Sequence, residues 1–155
     1  MTELKVKIFW PVYHLEKILK VERVVASWCK KIGGELHIFY CIPYETVGSF
    51  PFQFIPEVQI REAINSHRAT AEKTFKKLKE RLDKDKIPAS YEIKVGYIFL
   101  ESISAIRKLS PSVVILTPEG GEILPFFLGS NTLRILRDTD RDVLFIKSRK
   151  ESPQC

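Results

Sequence analysis

The sequence predicts an α/β protein in which a doubly wound parallel sheet carries helices on both faces. The first observation is that strand-like and helix-like segments alternate along the 155 residues, as in consecutive βα units. The second is that two segments, Leu36 to Ile42 and Val113 to Leu116, are almost continuously apolar, as expected for strands covered on both faces. Right-handed crossovers would then distribute the helices over both faces of a five-stranded sheet.

The first strand is predicted over Lys5 to Trp10, where β-branched and aromatic residues collect. It should stop at Pro11, because proline cannot continue a central ladder. An amphipathic helix follows, with Glu22 among the charged residues that fall away from its apolar stripe. That stripe consists of Ile18, Val21, Val25, Trp28 and Ile32. Gly33-Gly34 should end the helix as a left-handed cap, and Glu35 to Ile42 is the second strand.

A proline-rich segment, Pro43 to Pro56, separates the second strand from the next helix and contains Phe50, Phe52 and Phe54. A loop of this length in a compact domain is often functional. Its aromatic side chains either close one end of the core or form a lid or a docking surface for a protein partner. The sequence leaves both readings open.

The second half of the chain supplies the remaining elements. A long helix is predicted from Glu57 to about Lys84, where apolar residues recur every three or four positions. Ser90 to Val95 alternates as a strand, and a short helix after Gly96 ends before Pro111. The last three elements are a strand at Val113 to Leu116, a helix at Asn131 to Arg137 and a strand at Asp142 to Lys147.

Composition narrows the class of protein. No apolar run approaches the ~20 residues of a membrane span, and the N-terminus lacks a signal-peptide pattern, so a cytoplasmic protein is expected. The three cysteines and three histidines are scattered, which predicts no metal site. The net charge of +6 is carried largely by residues 68–86. Acidic residues are interleaved there, which favours a solvated helix face over a nucleic-acid surface. One domain is expected over residues 1–148, with a loose tail over 149–155.

The most informative stretch runs from a buried strand through the glycine-containing loop Thr117 to Gly129 into a helix. Free N–H groups at a helix start, beside a glycine and a hydroxyl, form an anion cradle. Gly129, Ser130 and Asn131 occupy that place, with Ser130 or Asn131 as the capping residue. In a doubly wound sheet, ligands bind beyond the carboxyl ends of the strands, here at Pro11 to His14, Cys41 to Tyr44 and Thr117 to Gly129.

Four stretches of the chain resemble the universal stress protein family, over nearly the whole length from Lys5 to Lys147. They are the strand that ends in IFWP, the second strand ending in FYCIP, the pair Val95-Gly96, and the closing VVILTPEGGEILPFFLGSNTLRIL and DVLFIK. The closing stretch is similar to the nucleotide-binding signature of the family, G-x2-G-x9-G-[ST]. The resemblance implies a flavodoxin-like strand order of 3-2-1-4-5 and a homodimer, often formed through the last strand.

A subset of the family binds ATP, so the resemblance also implies an adenine nucleotide, with Mg²⁺, or else an empty pocket kept as a remnant. The positions that match the site of the family are Pro11, Val12, Tyr13, Cys41, Thr117, Gly120, Gly129, Ser130 and Asn131. Two of them depart from the pattern. Tyr13 stands where ATP-binding members have an aspartate. Counted back from Gly129, the middle glycine of the signature falls at Glu119, or at Gly120 if one residue is deleted, and in the second case Thr117 replaces the first glycine.

The leading hypothesis is therefore a stress-response regulatory module without enzymatic activity, homodimeric through Asp142 to Lys147. No nucleophile elbow or Walker A lysine is present in the sequence. The first alternative is a slow ATP-hydrolysing or nucleotide-transferring enzyme that uses Glu119 or Glu122 as a metal ligand. The second is a binding module for a protein, through Phe50 to Phe54, or for a nucleic acid, through the basic helix.

Overall fold

The computed structural model describes residues 5–44, 56–117 and 129–147. Each of the five strands is followed by helical structure or ends the described chain. In order, the elements are β1 (Lys7–Val12), a short 3-10 turn (Leu15–Lys17), α1 (Ile18–Ile32), β2 (Glu35–Pro43), α2 (Glu57–Lys84), β3 (Ala89–Gly96), α3 (Ile98–Leu109), β4 (Val113–Leu116), α4 (Ser130–Asp138) and β5 (Asp142–Phe145).

The strands form one sheet with the order β3-β2-β1-β4-β5, and every neighbouring pair is parallel. The predicted fold class and strand order are therefore confirmed. The order reverses between β1 and β4, the first strands of the two βαβ halves, so this pair is the topological switch point. In such sheets the crevice at the switch point is the usual place for a ligand.

Side chains that alternate along the strands build a separate core on each face of the sheet. On one face, Ile8 and Trp10 of β1 pack with buried residues of α1 and α2. On the other, Phe9 of β1 and Phe39 of β2 pack with α3 and α4. The expected placement of helices on both faces is thus present, and the central strand β1 contributes to both cores.

The prediction that the first strand stops at Pro11 is wrong, because β1 continues to Val12. Pro11 pairs with Phe39 of β2, and Val12 pairs with Tyr40. The Ser112 N–H donates to the Lys7 carbonyl, so the odd-numbered residues of β1 direct their backbone polar groups toward β4. Pairing between β1 and β4 is confined to Ile8↔Val113 and Phe9↔Val114. The missing N–H of Pro11 therefore falls where no β4 acceptor is paired.

The predicted stripe of α1 also needs correction. The buried positions are Ile18, Glu22, Val25, Ala26 and Cys29, whereas Val21, Trp28 and Ile32 are only partly buried. Glu22 has no exposed surface, and guanidinium nitrogens of Arg23 and Arg81 lie 3.5 and 3.7 Å from its Oε2. Burial of a carboxylate requires such compensation. Arg23 belongs to α1 itself, whereas Arg81 belongs to α2, so the Arg81–Glu22 ion pair joins the two helices.

The junction between α1 and β2 uses its two glycines for different reasons. Gly33 has φ +77, and its N–H donates to the Cys29 carbonyl at 2.8 Å, which confirms the predicted left-handed cap. A Cβ on Gly34 would lie 2.6 Å from the Val6 carbonyl oxygen. The first glycine is thus required by backbone conformation and the second by the close approach of the chain that enters β1.

Other predicted boundaries differ by one or two residues. The fourth helix begins at Ser130 rather than Asn131, with Gly129 as its N-cap and no side-chain cap hydrogen bond. The expected cap by Ser130 or Asn131 is therefore wrong, because both lie inside the first turn. The last strand ends at Phe145 rather than Lys147. The predicted tail, residues 149–155, lies outside the described residues.

Candidate functional site

The carboxyl ends of β1 and β4 form the centre of the candidate site. Pro11 removes the N–H that would extend the β1–β4 ladder, and the two strands are paired only at their beginnings. Beyond Phe9 and Val114, β1 is paired on its β2 side alone. One proline in the sequence thus accounts for the place at which the sheet can open at its switch point.

Tyr13, the first residue after β1, turns into the protein. Only 7% of its surface is exposed, and it belongs to the core cluster that contains Cys41, Phe99, Leu116 and Ile135. The structure therefore brings two of the predicted site residues, Tyr13 and Cys41, into one cluster. The Tyr13 phenol therefore occupies space at the carboxyl edge that a small acidic side chain at this position would leave open.

Cys41 offers its backbone rather than its side chain to the site. Its thiol is buried. The Glu35 N–H donates to the Val6 carbonyl, so the backbone N–H and C=O groups of the odd-numbered β2 residues point toward β1. The last β1–β2 pair is Val12↔Tyr40. The backbone of Cys41 therefore lies on the β1 side of β2, one residue beyond the last β1–β2 pair.

A small cavity of about 20 Å³ lies at the end of β1. It is lined by polar residues Tyr13, His14 and Thr117 and by apolar or aromatic residues Trp10, Val12, Ile18 and Val21. Thr117, which directly follows β4, is buried with 6% of its surface exposed. The structure thus brings predicted residues that follow both strands of the switch point, Tyr13 and Thr117, to one small pocket.

The first turn of α4 carries the remaining predicted residues that the structure describes. Gly129 accepts a hydrogen bond from the Leu133 N–H at 3.0 Å, while Ser130 is exposed and Asn131 is half-buried. The helix is held against α3 by Arg134, whose guanidinium lies 3.8 Å from the centre of the Phe99 ring. Its N-terminal N–H groups and positive dipole end favour an anion.

Several predicted positions lie outside the described residues. They are Gly120, the candidate metal ligands Glu119 and Glu122, and the aromatic segment Phe50 to Phe54. Within the described ranges, no group of three or more histidine, cysteine, aspartate or glutamate residues is arranged to hold a metal ion. His37 and His67 contact opposite faces of the sheet, since His37 stacks on Phe9 and His67 on Tyr40.

Sequence reasoning missed a polar cluster on β2 and β3. His37 Nδ1 lies 2.8 Å from Ser90 Oγ, and His37 Nε2 lies 3.4 Å from Glu92 Oε2. Alternating Ser90, Glu92 and Lys94 in the third strand could have indicated it, because alternate residues share one face. Lys94 Nζ lies 3.6 Å from the other oxygen of Glu92. The cluster therefore compensates its own charges beside a cavity of about 210 Å³.

Two buried groups are held in their neutral forms. Burial raises the pKa of the Cys29 thiol to about 11, so this cysteine stays protonated and is a poor nucleophile at neutral pH. Burial raises the pKa of Tyr40 to about 12, with a further contribution from the charge of Glu16. Its hydroxyl lies 3.0 Å from His67 Nε2. Neither group is poised for covalent catalysis.

No protein-family model matches the sequence, and no curated protein matches it. Solved structures, in contrast, match this chain. The hypothetical protein MJ0577 has a TM-score of 0.77 at 19% identity, with 96% of this chain and 100% of that chain covered. Universal stress protein UspA from Lactobacillus plantarum has a TM-score of 0.75 at 13% identity, with 94% and 99% covered. This chain has the universal stress protein fold.

Two structures with the universal stress protein fold were solved with adenine nucleotides. A universal stress protein in complex with cAMP has a TM-score of 0.61 at 12% identity, covering 93% of this chain and 98% of its own. The universal stress protein from Archaeoglobus fulgidus in complex with dAMP has a TM-score of 0.58 at 12% identity and the same coverage. The resemblance noted in the sequence is thus supported at the level of the fold. Among the described residues, no helix is long and apolar enough to span a membrane.

Proposed function

We propose that this protein is a cytoplasmic stress-response regulatory module that binds an adenine nucleotide, with Mg²⁺ where the ligand is ATP. The site is the carboxyl edge of the sheet between β1 and β4. The observation that carries the proposal is the interruption of the β1–β4 ladder beyond Phe9 and Val114, at the switch point where such sheets bind ligands. The cAMP and dAMP complexes of proteins with this fold support the choice of an adenine nucleotide.

The described residues suggest how a nucleotide would be held. Backbone groups of Cys41 at the end of β2 suit the polar edge of a base, because a backbone contact does not depend on the side chain. The first turn of α4, beginning at Ser130, suits a phosphate group. Tyr13 would lie beside the sugar or the base, so this site should tolerate less bulk there than one with a small acid.

Native mass spectrometry with ATP, cAMP and dAMP, each with and without Mg²⁺, tests the proposal. Binding of at least one of them at or below millimolar concentration is the expected result. Ser130→Ala should weaken binding about 3- to 10-fold, because one hydrogen bond to a phosphate is lost. Ser104→Ala is the matched control, since Ser104 is an exposed serine of α3. Absence of binding by the unmodified protein would reject a nucleotide function.

The same titration separates a binding module from a slow ATPase. We propose binding without turnover, so bound ATP should remain intact over hours in the presence of Mg²⁺. Sustained release of phosphate that Gly129→Val abolishes would instead support the enzymatic alternative. The released product, measured by mass, would identify which bond is broken.

We also propose that the protein forms a homodimer through β5. This strand lies at an edge of the sheet, and an unpaired edge is a template for pairing with another chain. The neighbouring helix α4 exposes Leu133 and Leu136, with 47% and 44% of their surfaces accessible. A second copy would cover both features at once.

A further inference from the structure

The polar cluster on β2 and β3 contains a serine, a histidine and a glutamate in one chain of polar contacts. His37 and Ser90 lie directly opposite each other in the β2–β3 register, and Glu92 shares a face of β3 with Ser90. His37 Nδ1 lies 2.8 Å from Ser90 Oγ, and His37 Nε2 lies 3.4 Å from Glu92 Oε2. A hydroxyl in contact with a base, which is oriented in turn by a third group, is the arrangement that activates a serine nucleophile.

The direction of the two hydrogen bonds follows from the chemistry of Glu92. An ionised carboxylate can only accept, so we assign the imidazole proton to Nε2, which donates it to Glu92. Nδ1 of His37 is then an acceptor, and the Ser90 hydroxyl donates to it. The imidazole also stacks on the fully buried ring of Phe9, with ring centroids 6.0 Å apart. His37 thus has the tautomer and the fixed orientation of a general base for Ser90.

Both reacting side chains can be reached from solvent. Ser90 is exposed, and 22% of the His37 side chain is accessible. Together they line a cavity of about 180 Å³, to which Pro88 and Leu109 contribute apolar surface. At about 30 Å³ for each water molecule in the liquid, this volume accommodates a short acyl group next to the serine.

We propose that Ser90 is a nucleophile activated by His37, and that this site hydrolyses small carboxylic esters. It lies near the amino ends of β2 and β3, whereas the proposed nucleotide site lies at the carboxyl edge. The inference therefore adds an activity and does not depend on the proposed function.

The reaction needs only the ester and water. Ser90 Oγ bonds to the ester carbonyl carbon while its proton passes to His37 Nδ1. The bond from that carbon to the alcohol oxygen then breaks, and the departing oxygen takes the proton. Water attacks the acyl-serine by the same route, which releases the carboxylic acid and restores the serine. Lys7 lines the same cavity, and its charge is available to stabilise the oxyanion that each attack forms.

A fluorophosphonate tests the activation of Ser90 directly, because its phosphorus forms a covalent bond with an activated serine oxygen and releases fluoride. Peptide mass spectrometry of the labelled protein should locate the adduct on Ser90. His37→Gln should slow its formation at least ~10-fold, because glutamine cannot accept the serine proton. Failure of Ser90 to react in the unmodified protein would overturn the proposal, and so would equal labelling of the His37→Gln variant.

Hydrolysis of p-nitrophenyl acetate tests the activity itself. Ser90→Ala should lower kcat/KM at least ~10-fold, since a positioned general base contributes about 10²- to 10⁴-fold. Ser66→Ala is the matched control, because Ser66 is an exposed serine of α2, which packs on the opposite face of the sheet. Far-UV circular dichroism establishes that both variants fold. Equal rates in the two variants would reject an active serine, because the hydrolysis would then come from other surface groups.

Glu92 acts as a positioning residue, and its substitution separates that role from a structural one. Glu92→Gln keeps the shape of the side chain, but its amide can donate to His37 Nε2. Nδ1 then carries the proton and cannot accept from Ser90. We expect kcat for the ester to fall about 10-fold, with KM and the temperature of thermal unfolding unchanged. A kcat equal to that of the unmodified protein would contradict the assigned tautomer, and with it the proposal.

Discussion

At the scale of single residues, the core of this protein contains polar groups whose protonation is linked to folding. Tyr40 is 4% exposed and lies 3.0 Å from His67 Nε2. Its ring also packs on Phe75. Burial is the main reason why the pKa of Tyr40 is raised to about 12. Burial likewise raises the pKa of Cys29 to about 11.

These shifts predict a loss of stability at alkaline pH. In the unfolded chain Tyr40 would lose its proton near pH ~10, while the folded protein keeps it, so the free energy of unfolding falls as pH rises from about 10 to 12. The loss is at most about 3 kcal/mol for this group. Urea denaturation at pH 9 and pH 11 measures it. Tyr40→Phe should make the pH dependence shallower, and an unchanged slope would contradict the assignment.

Residue burial could be predicted where apolar side chains dominate. The alternation of Ile8, Phe9 and Trp10 between two faces follows from strand geometry alone. Glu22 could not be placed from the sequence, because its burial depends on Arg81 of a helix that lies far along the chain. Tyr13 likewise lies in a core cluster whose other buried residues come from β1, β2, α3, β4 and α4. Local patterns contain no information about such distant partners.

At the scale of secondary-structure elements, the α1–β2 junction gives the sharpest test. Gly33→Ala should lower the free energy of unfolding by about 1 kcal/mol, because alanine is strained at a positive φ. Gly34→Ala should cost more, about 2–3 kcal/mol, because its Cβ would lie 2.6 Å from a backbone oxygen that cannot rotate away. Urea denaturation of both variants measures the difference. Equal effects would show that the chain entering β1 shifts freely.

Most elements were predictable because each has a local signal. Strands are rich in β-branched and aromatic residues, α2 has its recurring apolar positions, and Gly33 marks the end of α1. Pro11 misled the prediction because the effect of a proline depends on which neighbour its nitrogen faces. The nitrogen faces β4, and pairing with β4 has already ended. That direction is a property of the assembled sheet, so the sequence of one strand cannot reveal it.

At the scale of the whole molecule, the sequence and the fold agree because alternating strands and helices with right-handed crossovers allow few arrangements. The order β3-β2-β1-β4-β5 leaves β3 and β5 at the edges. Topology fixes the arrangement of the strands but not the shape of the site. Topology places β1 and β4 at the switch point, but the space left there depends on side chains such as Tyr13, which packs inward.

The edge strand β5 offers a test of assembly that leaves the sheet itself intact. The Ile146 N–H donates to the Leu116 carbonyl, so the even-numbered residues of this segment direct their backbone N–H groups toward β4. Val143 is odd-numbered, and its N–H therefore points away from the sheet. Val143→Pro removes that outward donor without breaking the β4–β5 ladder. If dimers form by pairing of β5 strands, the dimer dissociation constant of this variant should be at least 10-fold higher in sedimentation equilibrium, because each copy loses a hydrogen bond across the interface.

Val143→Thr keeps both the N–H and the β-branched shape and should remain dimeric. Dimerisation of Val143→Pro with unchanged affinity would place the interface elsewhere on the molecule, with the exposed leucines of α4 as the next surface to substitute.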